Sequence, residues 1–585
     1  MRRFLFALLA LSVVASAADE FPPGPDSKPQ QGIAKGTMIK DAYTAKDGSV
    51  FPGTQREYQI YLPAGHDKAK PAVFMVFQDG VIYQAPVVFD NLIAKKDIPP
   101  LVGIFIKPGV VPAANDNALP RFNRSYEYDS VTPNYSQFLI DEFLPAIEAK
   151  HGLKLSTDPN HAAISGNSSG GICAFMVAWH RSDRFRRVFT GVGTYVGIHG
   201  ADQLPVLVRK FEPKPLRVFL QSGTGDNNLY CGDWWMANQM MERSLTWAGY
   251  DVNHTWGEGG HNAKHATQIF PDVLRWLWRD WQTSIEVKAN PKGESKWKGY
   301  EVVGAGEWSK VYSVPPLPKN QPLTEEAEDP DLHKCKADAM GTVYAYGYAT
   351  RLLIRIADTI TKQKFKHGVG CLVPIKSAKT LRFWQEDNGD EVIQKVPEQT
   401  DPLLFAPAYL SVAVTSDSRA FLARRRTLSV FELKEGKVDL GVYIRGMGSL
   451  SWLPDATAMC LSPDQTQLYL LGDYQTAVSV AKITPNGLEH GQYFCTLDYP
   501  STGLCVDTNG WLYAACEVGI QVCDQAGRVN FIIPTPKQPL DVCFGGKDLS
   551  ELFIACGDTI YKRPTKAKGV VSGQQAPIKP APPKL

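Results

Sequence analysis

Residues 161–181, HAAISGNSSGGICAFMVAWHR, place Gly166-Asn167-Ser168-Ser169-Gly170 between an apolar strand-like run and an amphipathic helix-like run. This is the feature that most restricts the fold. A serine at such a junction sits on a sharp, strained strand-to-helix turn, which tolerates only small neighbours because a bulky one would meet the sheet or the helix start. The helix that follows brings backbone N–H groups and its positive dipole end beside the serine, where negative charge develops during acyl transfer. Ser168 is therefore the candidate nucleophile, and the N–H of Ser169 is a candidate oxyanion donor.

A strand-turn-helix of this kind belongs to a mainly parallel sheet covered by helices. The flanking sequence agrees: between about 58 and 281, short apolar runs (EYQIYL, AVFMVF, LVGIFI, RVFLQS, NHTW) alternate with helix-length amphipathic stretches such as 135–150 and 236–249. In this α/β architecture an acid and a histidine should follow the serine in chain order. RVFLQSGTGDNNLY ends an apolar run in two glycines and Asp226, with Asp233 further along the same loop as the alternative. NHTWGEGGHNAKH delivers His261 on a glycine-rich loop, with His265 as the alternative where the next helix begins. Asp226 and His261 are preferred, to orient and to accept the proton of Ser168 respectively. The second oxyanion N–H is expected in the loop after AVFMVF, from Val81 or a neighbour.

MVFQDG, NRSYEYD (Asn123 to Asp129), SGNSSGGICAF, and WGEGGHNAKH followed by LRWLWRD closely resemble the esterase family that includes enterochelin esterases, feruloyl esterases and the mycolyltransferases. The resemblance covers roughly 55–281. It implies an α/β-hydrolase acting on esters, with Ser168, Asp226 and His261 in the roles above. By resemblance to the mycolyltransferase branch, where the residue after the Asp-Gly pair supplies an oxyanion N–H, Val81 is favoured. Siderophore trilactones, hydroxycinnamoyl or acetyl sugars, and acyl transfer all stay open. Arg124, Glu127 and Trp234 are candidate substrate-binding residues. Arg124 has the fork to hold a carboxylate, or it pairs internally with Glu127 or Asp129. Trp234 and Trp235 offer stacking surfaces, or pack in the interior.

At 585 residues the chain exceeds what one core of about 250–300 residues accommodates, so a second domain is expected. Beyond residue 299 the pattern changes to short strands separated by polar turns. Cys335, Cys371, Ala413, Cys460, Cys505 and Cys543 mark equivalent points of a repeat, at spacings of 36, 42, 47, 45 and 38 residues. Six units of about 40 residues suit a six-bladed β-propeller. Most of the eleven cysteines then read as small core fillers, five at one repeated strand position and Cys516 and Cys556 at another, without the short C-x-x-C spacing that zinc favours.

MCLSPDQTQLYLL, LCVDTNGWLYAA and GIQVCDQAGRVNFIIPTPKQPLDVCFGG resemble the gluconolactonase and senescence-marker family, six-bladed propellers that hydrolyse lactones with one divalent metal. The resemblance covers about 300–563. Where that family presents Asn and Asp as ligands, this chain has Thr457 and Thr502, and a hydroxyl is a poor ligand for a hard cation. No metal or other cofactor is expected, and the propeller is read as a binding or packing module. Lactonase chemistry there, or a binding protein with a decayed hydrolase domain, are the alternatives.

MRRFLFALLALSVVASA combines two arginines, an eleven-residue apolar run and an Ala-Ser-Ala site, the pattern of a cleavable secretory signal. The expected organisation is a signal at 1–17, a leader at 18–54, the hydrolase domain at 55–282, a linker at 283–299, the propeller at 300–564 and a disordered tail at 565–585. The product would be exported to periplasm or medium. A net charge of +2 gives no field for nucleic acid or an anionic membrane, so an ester substrate is the expected partner.

Overall fold

VFMVFQ at Val73–Gln78 and LVGIFI at Leu101–Ile106 are buried at every residue, as strands covered on both faces must be. In the computed structural model of the chain they are neighbours at the centre of a ten-stranded sheet. The structure describes residues 21–287, 295–314, 332–347, 352–364, 411–424, 456–472, 474–485 and 487–582, with shorter strands at 372–374, 381–385, 391–395, 403–405, 427–434 and 437–439. They divide into two compact units at residue 296, with residues 210–212 grouped with the second. The proposed signal, 1–17, lies outside the described residues.

In the first unit the strands are β1 (Thr37–Thr44), β2 (Gln55–Leu62), β3 (Val73–Gln78), β4 (Leu101–Ile106), β5 (Val110–Val111), β6 (Arg121–Phe122), β7 (Ala162–Asn167), β8 (Arg187–Gly191), β9 (Arg217–Gly225), β10 (Asn228–Leu229), β11 (Gly232–Asp233) and β12 (Asp251–Gly260). The large sheet runs β12-β9-β8-β7-β3-β4-β2-β5-β6, with β1 also paired to β2. It is parallel from β12 to β4 and antiparallel beyond. Helices Ala85–Ala94 and Lys264–Trp278 pack Phe89, Phe270 and Leu274 against Phe77 and Phe105 in one apolar core.

Three expected boundaries differ. The segment 18–54 is not a loose leader from residue 21 on. Phe21 stacks on His265 with ring centroids 4.4 Å apart, Asp26 pairs with Lys95 and Arg275, and β1 supplies a full strand to the sheet. Its low hydrophobicity is offset because a folded surface provides the partners. In the segment 283–299, Ile285 and Trp297 are buried, and only 288–294 lies outside the described residues. The tail from 565 is held through residue 578: Gly569 N–H donates to Leu549 O at 2.9 Å and Ile578 N–H to Pro463 O at 2.8 Å. Its composition predicts disorder, but its backbone finds acceptors and Val571 is buried.

The described residues of the second unit are all-β apart from short helical turns. Ser309–Ser313 pairs with Thr559–Pro564, followed by Glu551–Ala555 and Asp541–Gly545, so the unit's first and last strands share one sheet. Three more four-stranded sheets begin at Lys334, Leu372 and Ser411, and a seven-stranded sheet extends from Ala456 to Ile533. Cys335, Ala413, Cys460 and Cys543 each lie on an edge strand of their sheet; Cys371 is outside the described residues. Cys335, Cys495, Cys516, Cys523, Cys543 and Cys556 are free and buried, as core fillers are, whereas Cys460 and Cys505, at the same repeat position, are free but only partly buried. Among the described residues no helix is long and apolar enough to cross a membrane.

Candidate active site

Ser168 adopts φ 58° and ψ −123°, a strained conformation for a residue with a side chain. It is held by its own N–H donating to Gly191 O at 2.8 Å and by its carbonyl accepting Thr194 N–H at 3.2 Å. Glycine is required at 166, before the serine, and the neighbouring strand β8 also crowds the turn at Gly191. A Cβ on Gly166 would lie 2.2 Å from Gly170 O, and one on Gly191 would lie 2.5 Å from Asn167 Oδ1. The turn therefore lifts Ser168 Oγ off the end of β7, ahead of the helix Ser169–His180.

Three side chains distant in sequence meet there. Ser168 Oγ lies 2.7 Å from His261 Nε2, and His261 Nδ1 lies 2.6 Å from Asp226 Oδ1. The Asp226 side chain has no solvent exposure; its carboxylate also accepts Ser222 Oγ–H at 2.6 Å and Asn227 N–H at 2.8 Å. These bonds hold the carboxylate in place and aim it at the ring. The alternatives are used elsewhere. Asp233 caps the helix Trp234–Ala248 by accepting Met236 N–H, and His265 is buried between Gln221 and Phe21, where desolvation lowers its pKa.

Val81 follows Asp79 and Gly80, which both have left-handed backbones at φ 67° and 86°, and its side chain is exposed. Among the described residues neither the Val81 nor the Ser169 N–H has an acceptor. Two residues not predicted from sequence join the site. Thr194 Oγ1 lies 3.3 Å from Ser168 Oγ and accepts Trp234 Nε1–H at 3.2 Å. Tyr83 O–H donates to Gly166 O at 3.1 Å, and burial raises its pKa. Thr194 sits in GVGTY, which carries no motif; only its position after β8 brings it in.

The expected rim is corrected at two of three positions. Glu127 is 1% exposed, and its carboxylate accepts both Arg56 terminal nitrogens, at 2.9 and 3.1 Å, and Gly109 N–H. It is an interior ion pair, out of reach of substrate. Trp234 is 3% exposed and packs edge-on against His261, so it supports the site from inside. Arg124 is partly exposed, but its partner is neither Glu127 nor Asp129. Its Nε and Nη2 fork onto Asp79 at 2.7 and 2.9 Å, which raises its pKa, and Nη1 reaches Ser169 Oγ at 3.0 Å.

Residues 49–265 match the family described as "Putative esterase". The first unit carries an esterase-family domain. Iron(III) enterobactin esterase of Dickeya dadantii is 30% identical to the chain over 152 residues, which are 23% of the chain and 33% of that protein. Among solved structures, a ferulic acid esterase aligns at TM-score 0.34 and 18% identity, covering 42% of this chain and 99% of its own. The enterobactin esterase of Shigella flexneri aligns at TM-score 0.34 and 20% identity, covering 44% and 62%. Beyond the esterase domain, residues 454–557 match the SMP-30/gluconolactonase/LRE-like region, and rabbit (Oryctolagus cuniculus) regucalcin is 33% identical over 91 residues, 14% of the chain and 30% of that protein. The chain spans about a third of the length of these two curated relatives.

A lysine meets the two threonines that stand where that second family implies metal ligands. Lys334 Nζ lies 3.2 Å from Thr457 O and 3.4 Å from Thr502 O, so the two positions do converge, but on an ammonium. A cation already seated on both carbonyls excludes a divalent ion from the same point by charge repulsion, and two threonines offer no carboxylate to outweigh it. These residues do not fit a metal. Among the described residues no cluster of three or more His, Cys, Asp or Glu side chains is placed to hold one. A cavity of about 90 Å³ in the same unit is lined largely by apolar and thiol side chains, including Cys460, Cys505, Cys543 and the tail residue Val571.

Proposed function

We propose that the esterase domain hydrolyses carboxylic esters by an acyl-enzyme route, with Ser168 as nucleophile, His261 as general base and acid, and Asp226 as the group that orients the imidazole. The observation that carries this reading is the unbroken line Ser168 Oγ, His261 Nε2, His261 Nδ1, Asp226 Oδ1, at 2.7 and 2.6 Å. Ser168 Oγ attacks the ester carbonyl carbon as its proton passes to Nε2. The alcohol departs with that proton, leaving the acyl group on Oγ. Water then attacks the acyl carbon and gives its proton to Nε2, the carboxylic acid leaves, and the proton returns to Oγ. The N–H groups of Val81 and Ser169 hold the oxyanion in both halves.

For the substrate we favour esters bearing aromatic groups, as in siderophore or hydroxycinnamoyl esters. Phe122, Tyr126 and Tyr230, 73%, 63% and 96% exposed, lie within four residues of Arg124 or Asp226 in the chain. The names of the matched relatives, an enterobactin esterase and a ferulic acid esterase, point the same way. Residues 1–17 are proposed to export the protein.

The second unit we read as an accessory six-bladed propeller, counting the seven-stranded sheet as two blades that share the twenty-residue strand Gly487–Val506. Lys334 argues against metal-dependent lactonase activity there, and the aligned Ser168, His261 and Asp226 argue against a decayed hydrolase. A panel of aryl, feruloyl, acetyl-sugar and lactone esters assayed on the full chain and on Ser168→Ala tests the reading. Turnover of an aryl or feruloyl ester that vanishes in the variant supports it; equal turnover in both overturns it.

A further inference from the structure

The two N–H groups assigned to the oxyanion come from separate segments. Val81 belongs to the loop after β3, and Ser169 starts the helix after β7. Adjacent strands fix the roots of these segments, and the sheet's hold ends with Gly80 N–H on Ile106 O at 3.1 Å and Ser168 N–H on Gly191 O at 2.8 Å, one residue short of each donor. Asp79 and Gly80 are both left-handed, a costly state for an aspartate unless something outside the backbone secures it. Donors in an oxyanion hole have to lie about 2.7–3.1 Å from an atom that forms only in the transition state, so drift of either segment is costly.

One side chain spans both. The Arg124 guanidinium forks onto the two Asp79 oxygens and donates through Nη1 to Ser169 Oγ, while Nη2 lies 3.5 Å from Asn167 O. The segments approach closely at that point: a Cβ on Gly170 would sit 3.0 Å from both Asp79 Oδ2 and Gln78 Cβ. There is also a reason of charge. The Asp79 carboxylate is two residues from an oxyanion donor, and an unpaired anion there would oppose the negative charge that develops on the substrate. The guanidinium cancels it.

We propose that Arg124 is a positioning residue of the oxyanion hole, clamping the Asp79–Val81 loop to the start of the Ser169 helix and neutralising Asp79, and that it does not hold the substrate. The inference rests on the reading of Ser168 as nucleophile. Arg124→Met should lower kcat on an activated aryl ester by about 10- to 100-fold, the scale set by loss or misplacement of one oxyanion donor, with KM changed less than threefold. Arg124→Lys, which keeps the charge but loses the fork, should fall between. Asp79→Asn combined with Arg124→Met should lose less than the product of the single effects, because the unpaired carboxylate is gone.

The deciding readout is a trifluoromethyl ketone, whose adduct with a serine places an oxyanion in the hole. Its affinity should fall in parallel with kcat/KM across the Arg124 variants, while inhibition by the carboxylic acid product stays unchanged. A purely structural role would lower both affinities together. Loss of product binding, or a rise in KM alone, would make Arg124 a substrate contact and overturn the proposal, as would kcat within twofold of wild type. If Arg124→Met does not fold, Arg124→Lys carries the same comparison. Ser168→Ala separates the two readings: wild-type ketone affinity in that variant sinks the nucleophile assignment itself, whereas lost affinity there with no effect at Arg124 sinks only the clamp.

Discussion

The indole of Trp234 meets the imidazole of His261 edge-on, with ring centroids 5.5 Å apart and planes at 75°, while its N–H donates to Thr194 Oγ1. The ring thus limits how His261 can turn, and the N–H fixes a hydroxyl that touches Ser168. Trp234→Phe keeps an aromatic edge and removes the donor. It should lower kcat several-fold and cost at least about 1 kcal/mol of stability, the net worth of one hydrogen bond, with the space left by the smaller ring adding to it. Steady-state kinetics and urea unfolding on the same preparation check both; unchanged kcat would mean that the Thr194 contact is irrelevant to the serine.

Ser168→Ala should abolish ester hydrolysis, since loss of a triad serine costs on the order of 10⁶ in rate in a well-studied hydrolase. A serine-directed fluorophosphonate should modify Ser168 in the wild type, read by peptide mass spectrometry. Modification at Ser165 or Ser169 instead would misplace the nucleophile.

Arg56 and Glu127 form an ion pair whose side chains have no solvent exposure. Glu127→Ala strands a guanidinium in the interior and should cost about 3–5 kcal/mol, whereas replacing both partners by apolar residues should cost less. Denaturation midpoints of the single variant, the double variant and the wild type give the comparison. A double variant no better than Glu127→Ala would show that the pair is not what makes the site costly to open.

His180 is half-buried with Nε2 against Val131 O at 2.9 Å; desolvation, aided by the Lys214 charge, pushes its pKa down to about 4 from 6.5. In the folded chain it stays neutral where the unfolded chain already takes up a proton. Stability should therefore fall as pH drops from 6.5 toward 4, by on the order of 3 kcal/mol from this group. His180→Gln should flatten that limb of the stability curve whatever it does to the plateau. An unaltered acid slope in the variant would assign the loss to other groups.

Lys334 on the carbonyls of Thr457 and Thr502 leads to the expectation that the dialysed full chain holds no stoichiometric divalent metal and that a chelator leaves ester hydrolysis unchanged. Elemental analysis beside an assay in excess chelator checks this. One equivalent of calcium or zinc, with lactone turnover lost on chelation, would make the second unit a catalyst in its own right.

What the sequence determined by itself is local. Gly166-Asn167-Ser168-Ser169-Gly170 specifies its turn because neighbouring Cβ atoms would collide within a few residues, and the buried runs Val73–Gln78 and Leu101–Ile106 declare central strands by hydrophobicity alone. The order Ser168, Asp226, His261 was legible too, because an α/β sheet delivers strand-end loops to one edge. The partners of charged and aromatic side chains were decided only in three dimensions. Arg124 had Glu127 and Asp129 near it in sequence yet pairs with Asp79, 45 residues away; Glu127 turns inward to Arg56, 71 residues away; and Trp234 is closed over by His261. The segments 21–54 and 565–582 lack the apolar content to order themselves, but a folded surface supplies aromatic faces, opposite charges and backbone acceptors. The physical reason is the same throughout. Backbone sterics and hydrophobic periodicity act between near neighbours, whereas a buried charge or an orphaned N–H is satisfied by whatever group the completed fold brings within about 3 Å.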